Sequence, residues 1–250
     1  MILLLTGCIN PDGMAYTALS NKEERKRQYI NAIRYYLTNT NYPIVFAENS
    51  GTDIGHLFTD DLKSSRLETL TFSGNKEKYR GKGYGECEII QYALDHSSII
   101  CSNKNERIAK ITGRLIISNI RTIVCLHQIL SSKRTTLCAI NSELSFPDSR
   151  IVIASKDFFR LFLKSKDKIN DTQGYYFEHA LCDSIKEEKQ YPFSPFFIPP
   201  HIEGTSGSTG KDYCSENKKG IKYFYKYFKY ALSQRRQFYK LYRRNNRYSL

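Results

Sequence analysis

No apolar run in the chain approaches the roughly 20 residues that a helix needs to cross a bilayer, which excludes a helical integral membrane protein. No CxxC pair joins its seven cysteines, at 8, 87, 101, 125, 138, 182 and 214. An odd, scattered set of this kind fits reduced thiols in the cytoplasm better than a disulfide framework or zinc site. HxH, HExxH and acidic clusters with metal-ligand spacing are missing as well. Acidic residues are missing from 217–250, where 11 basic ones stand. The rest of the chain, with 27 basic against 25 acidic residues, is nearly neutral. The formal charge of +13 thus belongs to a basic tail, and a protein that coats nucleic acid with its whole surface is disfavoured.

What remains is a balanced globular chain of 250 residues, 40% hydrophobic, long enough for one large α/β domain or two small ones. Leu5-Thr6-Gly7-Cys8 imitates a lipid-attachment box, but Met1 to Leu5 is shorter than the roughly 7 to 15 residues of an export signal's apolar core. Ile2 to Ile9 is expected instead as the buried first strand of a parallel sheet. The turn Asn10-Pro11-Asp12-Gly13 follows, then a capping box from Ser20 to Glu23 and a helix from about Asn21 to Thr38. Glu23 to Arg27 crowd its exposed first turns, while Tyr29, Ile33, Tyr36 and Leu37 form its apolar face. Tyr42 to Ala47 and Leu67 to Phe72 are further strands, followed by a polar loop from Ser73 to Gly85 and a helix from about Glu86 to Ser97. Extended runs are expected at Ile99 to Ser102, Ala109 to Ile117, Thr136 to Asn141 and Arg150 to Ala154. Helices are expected at Ile120 to Ser131, Phe158 to Leu163 (opened by Ser155) and Tyr175 to Ile185. This alternation predicts an α/β domain over 1–203 with a Rossmann-type, mostly parallel sheet flanked by helices. A flexible linker over 204–217 and a basic, aromatic helical tail over 218–250 complete the chain.

In a parallel sheet, ligands meet the loops at strand C-termini. Four polar clusters fall there: Asn10-Pro11, Glu48-Asn49-Ser50, the loop 81–86 with Lys82, Gly83 and Glu86, and Lys110 to Arg114 with Gly113 between. Glu48 suits ribose hydroxyls or a base edge, and capping of the next turn explains it equally well. Three glycines before a helix offer backbone N–H groups to a diphosphate. A dinucleotide fingerprint would need Gly at 86, where Glu stands, and 204–211 fails as a phosphate loop because 205 is Thr and 212 is Asp. Lys110 and Arg114 suit a leaving diphosphate, or belong to a twisted strand with a bulge at Gly113. The carboxylates of Asp148, Asp171 and Glu178 are the candidate general bases for deprotonating an acceptor hydroxyl, His179 being the second candidate, with an ordinary helix surface as the alternative for Glu178 and His179.

In order, CINP (8 to 11), RKRQY (25 to 29), IVFAENSG (44 to 51), GKGYGE (81 to 86) and KITGR (110 to 114) resemble a family of glycosyltransferase-like proteins from bacterial capsule and lipopolysaccharide gene clusters, with a GT-A fold. DSR (148 to 150) and YFEHAL (176 to 181) follow more loosely. The resemblance implies sugar transfer from a nucleotide-sugar donor to a glycan or lipid-linked acceptor, with Asn10, Glu48 and the loop 81–86 near the nucleotide and Arg150 beside them. GT-A enzymes commonly hold Mn²⁺ or Mg²⁺ with an Asp-x-Asp motif, absent here. Either Asp148 serves a modified metal site, or Lys110 and Arg114 replace the metal. Asp60-Asp61 is the other acidic pair in question.

In the tail, Ile221, Phe224, Tyr225, Phe228, Leu232, Phe238, Tyr239 and Tyr242 recur at near-helical spacing between Lys222, Lys226, Lys229, Arg236, Lys240, Arg243 and Arg244. A basic amphipathic helix of this kind is expected on an anionic membrane surface, here at the inner face of the cytoplasmic membrane. RNA binding, within a non-catalytic nucleic-acid-binding protein, is the rival function, and a helix packed on the body the structural alternative.

Overall fold

The computed structural model describes residues 1–14, 17–103, 106–207, 209–213 and 220–243. Alternation of apolar residues builds a two-faced sheet. Strand β1 (Ile2–Gly7) opens it, the capped helix α1 (Lys22–Asn39) returns, and β2 (Ile44–Glu48) pairs parallel to β1. The short helix α2 (Thr59–Lys63) leads to β3 (Leu67–Thr71), parallel to β2. Helices α3 (Lys82–His96) and α4 (Ser98–Ser102) precede β4 (Arg107–Thr112), which pairs with the other side of β1. After β5 (Ile116–Ile117), α5 (Ile120–Leu130) and β6 (Thr136–Leu137) comes β7 (Ile151–Ser155), the antiparallel member, seated between β4 and β6. Helices α6 (Lys156–Phe162) and α7 (Phe177–Glu187) then lead to β8 (Phe193–Ser194) at the sheet's edge. Among the described residues the order is β3-β2-β1-β4-β7-β6-β8, the mostly parallel α/β sheet that the sequence predicts.

Each face of the sheet has its own core. Leu4, Val45, Ile108 and Val152 pack on α3, α6 and α7 through Ile90, Phe158 and Leu181. Leu3, Phe46, Ile111 and Ile153 pack on α1 and α5 through Ile33, Tyr36 and Val124. A side chain buried this way contributes about 1.5–3 kcal/mol.

Several boundaries differ from expectation for physical reasons. Asn21, not Ser20, caps α1, accepting the Glu24 N–H at 2.9 Å. Helix α3 starts at Lys82 rather than Glu86, so Gly83 and Gly85 lie inside its first turn. Residues Ile99 to Ser102 are helical, not extended, because Ser97 caps them at Ile100 N–H and the Glu68 carboxylate accepts from Ser98 and Ile99 N–H. The expected linker is part of the fold at its described residues. Strand β9 (Ile202–Thr205) pairs with β5 and with β10 (Asp212–Tyr213), and Ser206 is buried. Residues 208 and 214–217 lie outside the described residues, as does Arg244.

The tail forms helix α8 (Ile221–Phe238), and its Phe228, Ala231 and Phe238 face the body while Tyr225 and Tyr230 stay exposed. Phe238 is fully buried against Phe193, with ring centroids 4.6 Å apart, and Phe228 meets Phe197 at 5.5 Å. Buried Gln234 donates to the carbonyls of Ile140 and Asn141. Lys222, Lys226, Lys229, Arg236 and Lys240 stay exposed, so the packed-helix alternative describes this element. Among the described residues no helix is long and apolar enough to cross a membrane.

Candidate functional site

Because β1, β2 and β4 are parallel, their C-terminal ends share one edge of the sheet. Strand β7 runs the other way, so the residues leading into it, Asp148 to Arg150, arrive at the same edge. The chain moves from β1 to β2 and β3 on one side and places β4 on the other, which makes the β1/β4 boundary the topological switch point. A cleft of about 780 Å³ opens there. Its walls hold four basic side chains, Arg25, Lys82, Arg114 and Arg150, and four carboxylates, Glu86, Asp148, Asp171 and Glu178.

Of the residues predicted from sequence, the cleft brings together Asn49, Lys82, Gly83, Glu86, Arg114, Asp148, Arg150 and Glu178. Glu48 is not among its lining residues. It is fully buried, and its carboxylate accepts from Ile9 N–H at 2.8 Å, Ser50 N–H at 2.9 Å, Thr52 N–H at 2.9 Å and the Ser50 hydroxyl. The capping alternative is the one observed, and Glu48 clamps the loops after β1 and β2. Ser50 also accepts from exposed Asn10 N–H, and Pro11 is buried in the same turn, so these three shape the loop and do not line the cleft.

Lys110 lies beneath the floor. Alternation along β4 puts it on the face of Ile108, fully buried towards α3, where it ion-pairs with Glu86 and donates to Ser149 O at 2.6 Å. Thr6 Oγ1 adds a 3.0 Å bond to Glu86. Its charge is therefore matched within the protein. Gly113 is needed by the fold: a Cβ there would stand 2.7 Å from Thr6 O. Arg114, by contrast, reaches the cleft, with one guanidinium N–H spent on Thr205 O.

The N-terminus of α3 meets an anion as expected, but the anion is the chain's own Asp171. Its Oδ2 accepts Gly83 N–H at 3.1 Å, and Cβ atoms at Gly81 (φ +95°) and Gly83 would collide with it. Its Oδ1 has no hydrogen-bond partner among the described residues, and burial pushes its pKa up. Lys82 sits beside it. Burial pushes that ammonium down, against the opposing pull of Asp171, Glu86 and Glu178.

Glu178 opens α7 and accepts the Ser149 hydroxyl at 2.5 Å. Burial raises its pKa above the ordinary carboxylate value, only partly offset by that hydrogen bond. His179 turns away: its Nδ1 accepts Tyr176 N–H at 3.1 Å, and its ring stacks on Tyr175 and Tyr176. It is not among the lining residues and is no base for this cleft.

Asp148 is held by Arg150, whose Nε lies 2.9 Å from Oδ1 and 3.0 Å from Oδ2, with Nη2 also on Oδ2. Arg150 in turn lies over the Tyr213 ring at 4.7 Å. A carboxylate clamped this way does not fit the expected ligand role, and no group of three His, Cys, Asp or Glu side chains among the described residues fits a metal ion. Asp60 and Asp61, in α2, do not line the cleft.

Sequence reasoning missed Arg25, Asp171's anchoring role, Ser149 and the aromatic rim. Arg25 lies in a run of six charged residues, 22–27, and reads as solvated; it is 6% exposed because its guanidinium bonds Cys8 O and Leu19 O at 2.8 and 3.0 Å. Cys8 lies beside it, its thiol pushed up to about 11 by burial and therefore neutral.

No protein-family model and no curated protein matches the chain. Among solved structures, a cytidylyltransferase from Leptospira borgpetersenii is similar at 13% identity and a TM-score of 0.44, over 78% of this chain and 75% of that one. A protein assigned as a nucleotide-diphospho-sugar transferase from Desulfovibrio desulfuricans is similar at 11% identity and a TM-score of 0.41, over 95% and 97%. At this degree the likeness is one of general architecture, not of site.

Proposed function

We propose that the cleft binds a nucleotide sugar and transfers its sugar to a hydroxyl acceptor. The observation that carries this reading is the joining, at the switch point, of cationic side chains with the half-buried carboxylate of Glu178, which holds the Ser149 hydroxyl. Arg114 and Lys82 stand where a diphosphate would lie across the β1/β4 boundary, and the ends of β1 and β2, with Cys8 and Asn49, take the nucleoside. Glu178 accepts the acceptor's hydroxyl proton. The acceptor oxygen bonds to the anomeric carbon as that carbon's bond to the diphosphate breaks, and the electron pair leaves with the diphosphate. Asp148 is clamped by Arg150, and in this reading the cations of the cleft stabilise the charge on the leaving diphosphate. The motif resemblance extends the reading to bacterial surface polysaccharide and a glycan or lipid-linked acceptor. The exposed basic row of α8 would meet an anionic membrane through charge alone.

Calorimetric titration of the full chain with nucleotides and nucleotide sugars, with and without Mn²⁺ or Mg²⁺, tests this. Saturable binding of one nucleotide, weakened about tenfold or more in Arg114→Ala and in Lys82→Ala, is the expected result. A folded protein that binds none of them sinks the reading.

A further inference from the structure

The cleft is wider than its switch point. It runs from Asn49 at the end of β2, past β1, β4 and β7, to Ala139 and Ile140 beyond β6. Four strand spacings amount to about 19 Å, room for two ligands side by side. The β6/β7 end has a different chemistry from the rest. Two large aromatic side chains, Phe146 and Tyr176, line it while remaining 40% and 38% exposed.

These rings are fixed in place. Asn141 Oδ1 accepts the N–H groups of Ser145 and Phe146, both at 2.9 Å, and Phe146 O accepts Asn141 N–H at 3.2 Å. Buried Leu144 holds this turn with φ at +55°, a conformation that a leucine adopts only when its surroundings impose it. The Phe146 and Tyr176 rings meet at 76° with centroids 6.5 Å apart, forming a corner. His179 backs the corner, parallel to Tyr176 at 5.4 Å and edge-on to Phe146 at 5.3 Å. Glu178 stands two residues beyond Tyr176, at the start of the same helix.

From this we infer that Phe146 and Tyr176 form the acceptor subsite, an aromatic corner that receives the apolar C–H face of a pyranose ring and presents its hydroxyl to Glu178. A sugar ring is apolar on its faces and polar around its edge, which matches an aromatic floor with carboxylates Glu178 and Asp148 at its border. A nucleobase also stacks, but it carries no hydroxyl for Glu178 to deprotonate. His179 is a positioning residue for the corner. The inference rests on the transferase reading above and names its acceptor as a carbohydrate.

The chain has no tryptophan, so Phe146→Trp puts a single tryptophan inside the proposed subsite, excited selectively over the 19 tyrosines. Its fluorescence is titrated with methyl glucopyranosides, galactopyranosides and mannopyranosides, and separately with uridine and cytidine. Saturation-transfer NMR of the same sugars on the unaltered chain accompanies it. The expected result is an emission change with at least one pyranoside and none with nucleosides, with magnetisation reaching the sugar's ring C–H protons. Tyr176→Ala should weaken that binding about tenfold, Tyr176→Phe should restore it, and Tyr225→Ala, on an exposed ring of α8, should leave it unchanged. Nucleosides acting in place of sugars would overturn the inference in favour of a base platform. So would silence from every sugar in both measurements. Donor binding is read independently by calorimetry on the unaltered chain, so failure of the donor site and failure of the acceptor corner give different results.

Discussion

At the scale of single residues, burial decides which charges act. Lys110 and Glu86 come from two of the motifs that stand out in sequence, and they meet where Glu86 lines the cleft and Lys110 lies beneath its floor, but there they neutralise each other. Alternation along β4 already places Lys110 on the α3 face; the identity of its partner depends on how far α3 slides along the sheet, which no local pattern encodes. His127 is the opposite case, a charge that never forms. It lies in α5, 1% exposed, with neither ring nitrogen hydrogen-bonded among the described residues. Burial, reinforced by Arg107, pushes its pKa down to about 3 from 6.5. The unfolded chain takes up the proton near the ordinary value while the folded protein refuses it, so stability falls as pH drops from 6.5 towards 3. The slope is at most about 1.4 kcal/mol per pH unit. His127→Leu should remove that slope and stabilise the protein in acid. Urea unfolding of both proteins through this window checks it, and identical pH slopes would refute the argument.

At the scale of elements, what was legible follows periodicity. Strands β1, β2, β3 and β7, and helices α1, α5 and α6, lie within a few residues of expectation because their apolar spacing has one reading. The start of α3 was illegible because its glycines suggest a loop, whereas they serve close approach to Asp171. Helix α8 was legible as a helix but not in its partner, since an amphipathic face fits a membrane as well as a protein surface. The rings of Phe238 and Phe193, 4.6 Å apart, put this part of the face on the body. Phe238→Ala should therefore cost about 3–5 kcal/mol in chemical denaturation, as a truncation in a packed core does. A change below about 1 kcal/mol, the range of surface substitutions, would return α8 to the status of an appendage. The same helix braces the cleft, because Gln234 bonds the carbonyls of Ile140 and Asn141, and Asn141 holds the turn that carries Phe146.

At the scale of the whole molecule, the antiparallel strand β7 is what completes the site. Running against its neighbours, it delivers Ser149 to the edge where β1 and β4 end, and there Ser149 meets Glu178 from α7, 29 residues later in the chain. A base in this position must be ionised to act. Burial raises the Glu178 pKa, so transfer should rise with pH along a limb displaced above the ordinary carboxylate range. The Ser149 hydroxyl lowers that pKa by donating to the ionised form. Ser149→Ala should therefore move the limb to still higher pH while the plateau rate changes little, a signature that a purely structural role for Ser149 would not produce. Glu178→Gln should lose the limb and about a hundredfold or more of the rate, with nucleotide binding intact. Rates measured across pH at saturating donor decide it. An unmoved limb in Ser149→Ala, or full activity in Glu178→Gln, would mean that the proton leaves the acceptor by another route.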